Sequence, residues 1–132
     1  MPEIVKDTTD MIAGMTPELR DGSYVFAMSD DPALVTQSIC TFRETEGLSL
    51  ILPLNTAQDA GFDCSAPMRC ITLNVYSSLE GVGLTAAVAT ALSNAGIACN
   101  MVAAFHHDHA FVPANKAEAA VNILLSLQNG QT

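Results

Sequence analysis

The sequence predicts an α+β sandwich, in which helices cover one face of a mostly antiparallel sheet. In the second half of the chain, alternating apolar segments and segments of helical spacing follow each other as strand, helix, strand, strand and helix. Apolar residues make up 49% of the 132 residues, which suits one compact domain or two very small ones with a real core. Because there is no Trp and aromatic residues account for only 5%, we expect a core of aliphatic side chains and Met.

The N-terminal segment predicts two short helical pieces and then a strand. Residues 3–15 have a weak apolar face at helical spacing. Residues 16–19 resemble a helical turn, with Thr16 as the cap and Pro17 at the first helical position. A strand is expected over residues 23–28.

The middle of the chain predicts a hairpin and a short helix. Two β-like runs flank residues 44–47, and Gly47 supplies the positive φ that the turn needs. Asn55 is expected to cap the helix that follows. In order, the predicted elements are a turn at 29–32, strands at 38–43 and 48–52, a helix at 55–61 and a connector at 62–67.

The second half has the clearest pattern. Alternation places Ile71, Leu73 and Val75 on one face of its first strand. Asn115 can cap the last helix, with Glu118 three residues later as the other half of a capping box. In order, the predicted elements are a strand at 69–75, a helix at 84–95, a strand at 97–105, a turn at 106–108, a strand at 109–112 and a helix from residue 115.

This order is that of a ferredoxin-like sandwich, with both helices on one face of the sheet. The last residues are too short and polar to form a closing strand, so a strand from the first half could complete the sheet. Such a sheet leaves an open face or edge. We therefore expect a homodimer, or close packing of the two halves of the chain.

Charge and hydropathy limit the partners. The formal charge is −9, from 5 Lys and Arg against 14 Asp and Glu, which disfavours nucleic acid and anionic membrane surfaces. No apolar run approaches the roughly 20 residues of a membrane span. The N-terminus is acidic and polar where a signal peptide would be basic and then apolar, so a cytoplasmic location is expected.

Motifs for catalysis and cofactors do not occur in the sequence. There is no phosphate-binding G-x-x-x-x-G-K-[ST] loop, no G-x-S-x-G elbow and no H-E-x-x-H helix. Cys40, Cys64, Cys70 and Cys99 form no C-x-x-C pair, so we expect free thiols. We therefore expect neither an enzyme nor a bound cofactor.

Two segments of the second half carry a family resemblance. Residues 78–86 and 96–101 look like the loop, helix and strand of an ACT domain, with a Gly-Ile pair at the helix-to-strand junction. Residues 105–113 resemble the aromatic-x-x-Asp-aromatic-x-x-Val-Pro segment of ACT domains in aspartate kinases and in the arginine-sensor group. The common ACT loop reads Asp-x-Pro-Gly, whereas residues 79–83 read Leu-Glu-Gly-Val-Gly and contain no Pro.

The whole chain also resembles an uncharacterised bacterial family of tandem ACT-domain proteins. In that family the first-half runs at 24–26, 41–44 and 46–48 recur. The resemblance implies an ACT-like half at 1–66 and an ACT domain at 67–132. It also implies a regulatory protein that binds a small molecule, an amino acid by analogy, and has no catalytic activity of its own.

The candidate ligand site follows from the residues and from the resemblance together. Free N–H groups at the start of the second-half helix can bind a carboxylate, and glycines let a ligand approach the backbone. Carboxylates can accept an ammonium group, an Asn side chain suits a zwitterion, and Met and Phe can form the walls. The predicted site residues are Glu80, Gly81, Val82, Gly83, Leu84, Asn100, Met101, Phe105 and Asp108.

Two other interpretations stay open at this stage. Three imidazoles and a carboxylate in the run 106–109 are suitable zinc or iron ligands, although successive strand residues face opposite ways. A metal-binding protein or metal-dependent enzyme is thus one alternative. The other is a ligand-free dimerisation module that uses an apolar face formed by Ala98, Val102 and Ala104. On that interpretation the glycines only make a tight turn.

Overall fold

The computed structural model describes residues 7–75 and 83–130. These residues divide into two compact units. The central unit is Asp21–Met68, and the terminal unit combines residues 7–20 with 69–75 and 83–130. The elements, in chain order, are α1 Thr8–Gly14, β1 Pro17–Leu19, β2 Tyr24–Met28, α2 Pro32–Gln37, β3 Cys40–Glu44, β4 Gly47–Pro53, α3 Leu54–Asp59, β5 Met68–Leu73, α4 Leu84–Asn94, β6 Asn100–Ala103, β7 Asp108–Pro113 and α5 Ala117–Gln128.

The central unit contains a three-stranded antiparallel sheet in the order β3-β4-β2. The predicted hairpin is confirmed, and Gly47 turns the chain with φ of +145°. One face of the sheet forms a small core, against which side chains of α2 and α3 pack. The buried members of this core are Val25, Leu50, Leu52 and Ala57.

The terminal unit contains a four-stranded sheet in the order β1-β5-β7-β6, with antiparallel pairing of β1 to β5 and of β6 to β7. As predicted, strand, helix, strand, strand and helix follow each other from β5 to α5, and a strand from the first half completes the sheet. Ile71, Leu73 and Val75 belong to one buried cluster that also takes side chains from α1, α4 and α5. The α+β sandwich predicted from the sequence is confirmed.

The strand β1 replaces the helical turn that was expected at 16–19. Pro17 lies opposite Leu73 of β5, and the three residues of β1 pair in antiparallel register. Thr16 has φ of +29°, which does not match the extended backbone of an N-cap. The prediction was wrong because the pairing partner lies in the second half of the chain, where a local turn motif cannot reveal it.

Both predicted Asn caps are also wrong. Asn55 lies inside α3, where its Oδ1 accepts the N–H of Thr56 at 3.0 Å, and no side-chain hydrogen bond caps that helix. Asn115 lies in a 3-10 turn, Ala114–Lys116, and α5 begins one residue later without a capping box. In each case a Pro ends the preceding strand and turns the chain directly into a helical turn.

Three further elements differ from their predicted bounds. The turn expected at 29–32 leads into α2, where the Asp31 carboxylate caps the helix by accepting the N–H of Ala33 at 3.0 Å. The strand expected at 97–105 is confined to β6, because only Asn100–Ala103 pair with β7. Of the helix expected at 3–15, the described part is α1, capped by Asp7.

Candidate functional site

The predicted ligand site lies partly outside the described residues. Glu80, Gly81 and Val82 belong to that part of the chain. Gly83 and Leu84 form the N-cap and first residue of α4. The Leu84 side chain is buried in the core cluster of the terminal unit, so only its backbone is available to a ligand.

Gly83 has a conformation that few other residues could adopt. Its φ is +103°, and a Cβ atom at this position would lie 2.8 Å from two side-chain atoms of Thr8. The N-terminal part of α1 therefore packs directly against the start of α4. Sequence reasoning missed Thr8 here, because the contact joins segments that are far apart in the chain.

The other predicted residues lie on the hairpin formed by β6 and β7. Asn100 is opposite Phe111 and Met101 is opposite Ala110, whereas Asp108 is opposite Ala103 at the other end of the short strand. Phe105 lies in the hairpin turn, three residues before Asp108, and is 76% exposed. Phe105 and Asp108 thus lie at the turn end of the hairpin, and Asn100 and Met101 lie at its other end.

Asp108 has the most unusual environment of the predicted residues. Only 8% of it is exposed, and it lies on the same side of β7 as the core residues Ala110 and Val112. No described residue forms a hydrogen bond or an ion pair with its carboxylate. Burial raises the pKa of Asp108, and the charge of His107 opposes that shift only in part.

Two of the neighbouring histidines have defined partners. The Nδ1 atom of His107 lies 3.0 Å from the backbone oxygen of Val75, the last residue described before the segment 76–82. The Nδ1 atom of His109 lies 3.0 Å from the hydroxyl of Thr72 on β5. Burial, followed by the charges of Arg20 and His107, lowers the pKa of His109. The imidazole of His109 is therefore held in the neutral form near pH 7.

These positions do not bring the residues 106–109 together as metal ligands. Within 7–75 and 83–130, no group of three His, Cys, Asp or Glu side chains is placed to hold a metal ion. His107 and His109 are bound to different segments, and the ring of His106 packs edge-on against Phe105 with centroids 4.9 Å apart. This geometry gives no support to the metal-binding alternative.

Sequence reasoning also missed a strained residue, Thr16, which lies between α1 and β1. Thr16 is β-branched, yet its φ is +29°, a conformation that typically costs about 1–3 kcal/mol. Its hydroxyl accepts the side-chain N–H of Gln128 at 3.1 Å, and its carbonyl accepts that of Asn74 at 3.3 Å. Asn74, which follows β5, is thereby linked to the residue between α1 and β1.

Comparison with known protein families also divides the chain into two ACT-like halves. Two family profiles, both described as ACT domain, match residues 5–69 and 65–126. The chain belongs to the ACT domain family. The ferredoxin-like fold of two ACT domains is thus confirmed. ACT domains are regulatory and typically bind amino acids.

Solved structures resemble this chain over most of its length. A protein of unknown function from Vibrio cholerae, described as a possible transport protein, is 45% identical with a TM-score of 0.79, over 89% of this chain and 92% of that one. An Agrobacterium tumefaciens protein is 20% identical with a TM-score of 0.69, over 85% and 87% of the two chains. The ligand-free regulatory subunit of aspartate kinase from Thermus thermophilus is 12% identical with a TM-score of 0.63, over 87% and 97%.

The last two likenesses concern the fold alone, because their sequence identity is low. No curated protein matches the chain. All four cysteines are free thiols. None of the helices in the described part of the chain combines the length and apolar character needed to span a bilayer.

Proposed function

We propose that this tandem ACT protein is a regulatory, non-catalytic sensor that binds a small amino acid in its second ACT domain. The observation that carries the proposal is the buried carboxylate of Asp108, which has no hydrogen-bond or ion-pair partner among the described residues. A buried charge costs free energy unless it is paired, so a cationic group that binds beside Asp108 would recover part of that cost. The α-ammonium group of an amino acid is such a group.

The start of α4 supplies the complementary end of the proposed site. The first N–H groups of this 11-residue helix carry partial positive charge, which suits the carboxylate of the ligand. Residues 76–82 connect Val75, which contacts His107, to Gly83 at the N-cap of α4. We include Glu80, Gly81 and Val82 of this segment on the strength of the sequence alone.

The remaining predicted residues keep supporting roles in the proposal. We propose that Phe105 covers a ligand at Asp108, because it is exposed and lies in the turn that precedes β7. Asn100 and Met101 lie at the far end of β6, and we retain them as contacts to a ligand shared between two ACT units. Within the described terminal sheet, β6 is an edge strand, so we propose that it pairs with a second copy in a homodimer.

We also propose that the two ACT-like halves divide near residue 66, where the two family matches meet. We propose a cytoplasmic location as well. Its support is that all four cysteines are free thiols, which is typical of reducing compartments.

A thermal-shift screen against the twenty amino acids tests the proposed function. A ligand that binds only the native state raises Tm in a concentration-dependent way. We expect one amino acid, or a small group of them, to do so for the wild type and for Asp30→Asn, a control that removes an exposed carboxylate. Asp108→Asn should lose the response. The proposal fails if no amino acid raises Tm, or if Asp108→Asn responds as the wild type does.

A further inference from the structure

The central unit contains a second candidate site, a cavity of about 370 Å³ at one end of its sheet. The cavity is lined by the segment that precedes β2 and by the junction of β4 with α3. Tyr24 pairs with Pro53 at this end, whereas Met28 pairs with Ser49 at the other, where the turn into α2 begins. The cavity therefore lies at the opposite end of the sheet from the turn into α2, and it shares no residue with the amino-acid site proposed in the second ACT domain.

The polar side chains of this cavity have unused bonding capacity. Asp21, Ser23 and Gln58 line it, and their side chains form no hydrogen bond or ion pair with any residue in the described ranges. Asn55 uses its Oδ1 to accept the N–H of Thr56, which leaves its NH₂ group to face a ligand. Asp21 is the only charged residue among the described residues that line the cavity.

The apolar part of the lining explains an exposed aliphatic side chain. Ile39, which directly precedes β3, is 44% exposed, although its backbone N–H donates a 2.9 Å hydrogen bond to the backbone oxygen of Ile51. Pro53 and Leu54 line the same cavity. A short aliphatic group in the cavity would remove apolar surface of Ile39 from water, which stabilises a complex in proportion to the area covered.

We propose that this cavity binds a small organic cation, namely a primary ammonium group carried on a short aliphatic body. The ammonium has three N–H donors, which match the Asp21 carboxylate, the Ser23 hydroxyl and the carboxamide oxygen of Gln58. An anion meets the charge of Asp21 and no Lys or Arg in the lining. The net charge of −9 adds a long-range attraction for cations.

The charge of this cavity should also let it distinguish an amine from the amino acid that has the same side chain. The α-carboxylate of an amino acid would have no cationic group to bind in this cavity and would lie near Asp21. The cavity should therefore prefer the decarboxylated amine. This preference distinguishes it from the amino-acid site proposed for the second ACT domain.

The test is an NMR titration of the ¹⁵N-labelled full chain with three probes that share one aliphatic body. Isopentylamine is the cation, leucine the zwitterion and isovalerate the anion. Isopentylamine should shift the backbone resonance of Ser23 and the side-chain NH₂ resonances of Asn55 and Gln58 in a saturable way. Leucine and isovalerate should leave these resonances unchanged at the same concentrations.

Substitutions locate the site. Asp21→Asn keeps the shape of an exposed side chain and should weaken isopentylamine binding about two- to fivefold, the loss expected for one ion pair at an exposed site. Gln58→Ala should also weaken it, whereas Asp30→Asn should not. Equal shifts with isovalerate, unchanged affinity in Asp21→Asn, or no saturable shift with isopentylamine would overturn the proposal. Asp108→Asn should bind isopentylamine normally, so the two proposed sites can fail independently.

Discussion

Replacing Asp108 by Asn should stabilise the protein in the absence of ligand, although it removes a proposed binding group. The carboxylate is 8% exposed, it has no described hydrogen-bond or ion-pair partner, and burial raises its pKa. A raised pKa means that the folded state disfavours the ionised form. The cost therefore appears as the pH rises above the pKa of the unfolded chain, 3.8, and is complete above the pKa of the folded protein.

The expected gain comes from removing the charge, because Asn keeps the size and polarity of the side chain but cannot ionise. No described residue pairs with this charge, and residual exposure together with the charge of His107 keeps its cost near the lower end of the about 1–3 kcal/mol typical of unsatisfied buried groups. We expect Asp108→Asn to raise the free energy of unfolding by about 1 kcal/mol near pH 7, which corresponds to roughly 4 °C in Tm. The gain should shrink as the pH falls towards 4.

Urea unfolding followed by circular dichroism measures this difference, with the slope of the transition checked for equality between the two proteins. Asp30→Asn is the matched control, because the carboxylate that it removes is exposed. Its stability should change by less than about 0.5 kcal/mol. A loss of stability in Asp108→Asn near pH 7 would show that the native structure stabilises the carboxylate, and would refute the reasoning from burial.

Three further predictions concern the terminal unit. Gly83→Ala should destabilise it by about 2 kcal/mol, because φ is +103° and the new Cβ would lie 2.8 Å from Thr8. In a double-mutant cycle of urea unfolding, adding Thr8→Ala should recover only the part of this loss that comes from the steric clash. Leu92→Ala should cost about 3 kcal/mol by the same measurement because the side chain is fully buried, whereas Leu125→Ala, at a position 39% exposed, should cost less than about 1 kcal/mol. Burial lowers the pKa of His109, so the free energy of unfolding is at its full value above pH 6.5, the pKa of an unfolded histidine, and falls as the pH drops below 6.5. His109→Gln should make this fall shallower in thermal melts at a series of pH values. An unchanged pH profile would contradict the assignment.

The sequence alone was enough to predict most of the terminal unit. Its strands and helices from β5 to α5 follow from alternation and from helical spacing, because each element buries one face. Ile71, Leu73 and Val75 were predicted to share a face, and all three lie in one core cluster. The ACT resemblance rested on residues of this same half, and the family comparison confirmed it.

Elements that depend on distant partners could not be predicted in the same way. β1 is only three residues long, and its conformation follows from pairing with β5, which overrides the local signal of a helical turn. Its neighbour Thr16 keeps a positive φ because Gln128 and Asn74, from other segments, bind it there. Both predicted Asn caps failed because a Pro at the end of the preceding strand already directs the chain into a turn.

The candidate sites likewise depend partly on residue type, which the sequence shows, and partly on tertiary structure. Residue type alone identified Asp108 as a group that could accept an ammonium, but its burial and lack of a described partner come from the pairing of β6 with β7 and from the core beside β7. The cavity beside Asp21 has no sequence signature, because its walls come from three segments of the central unit. Sequence patterns thus determined which faces are buried and which residues have suitable chemistry. Tertiary structure decided which of those residues lose water and which meet across the chain, because burial and contact depend on segments that are distant in sequence.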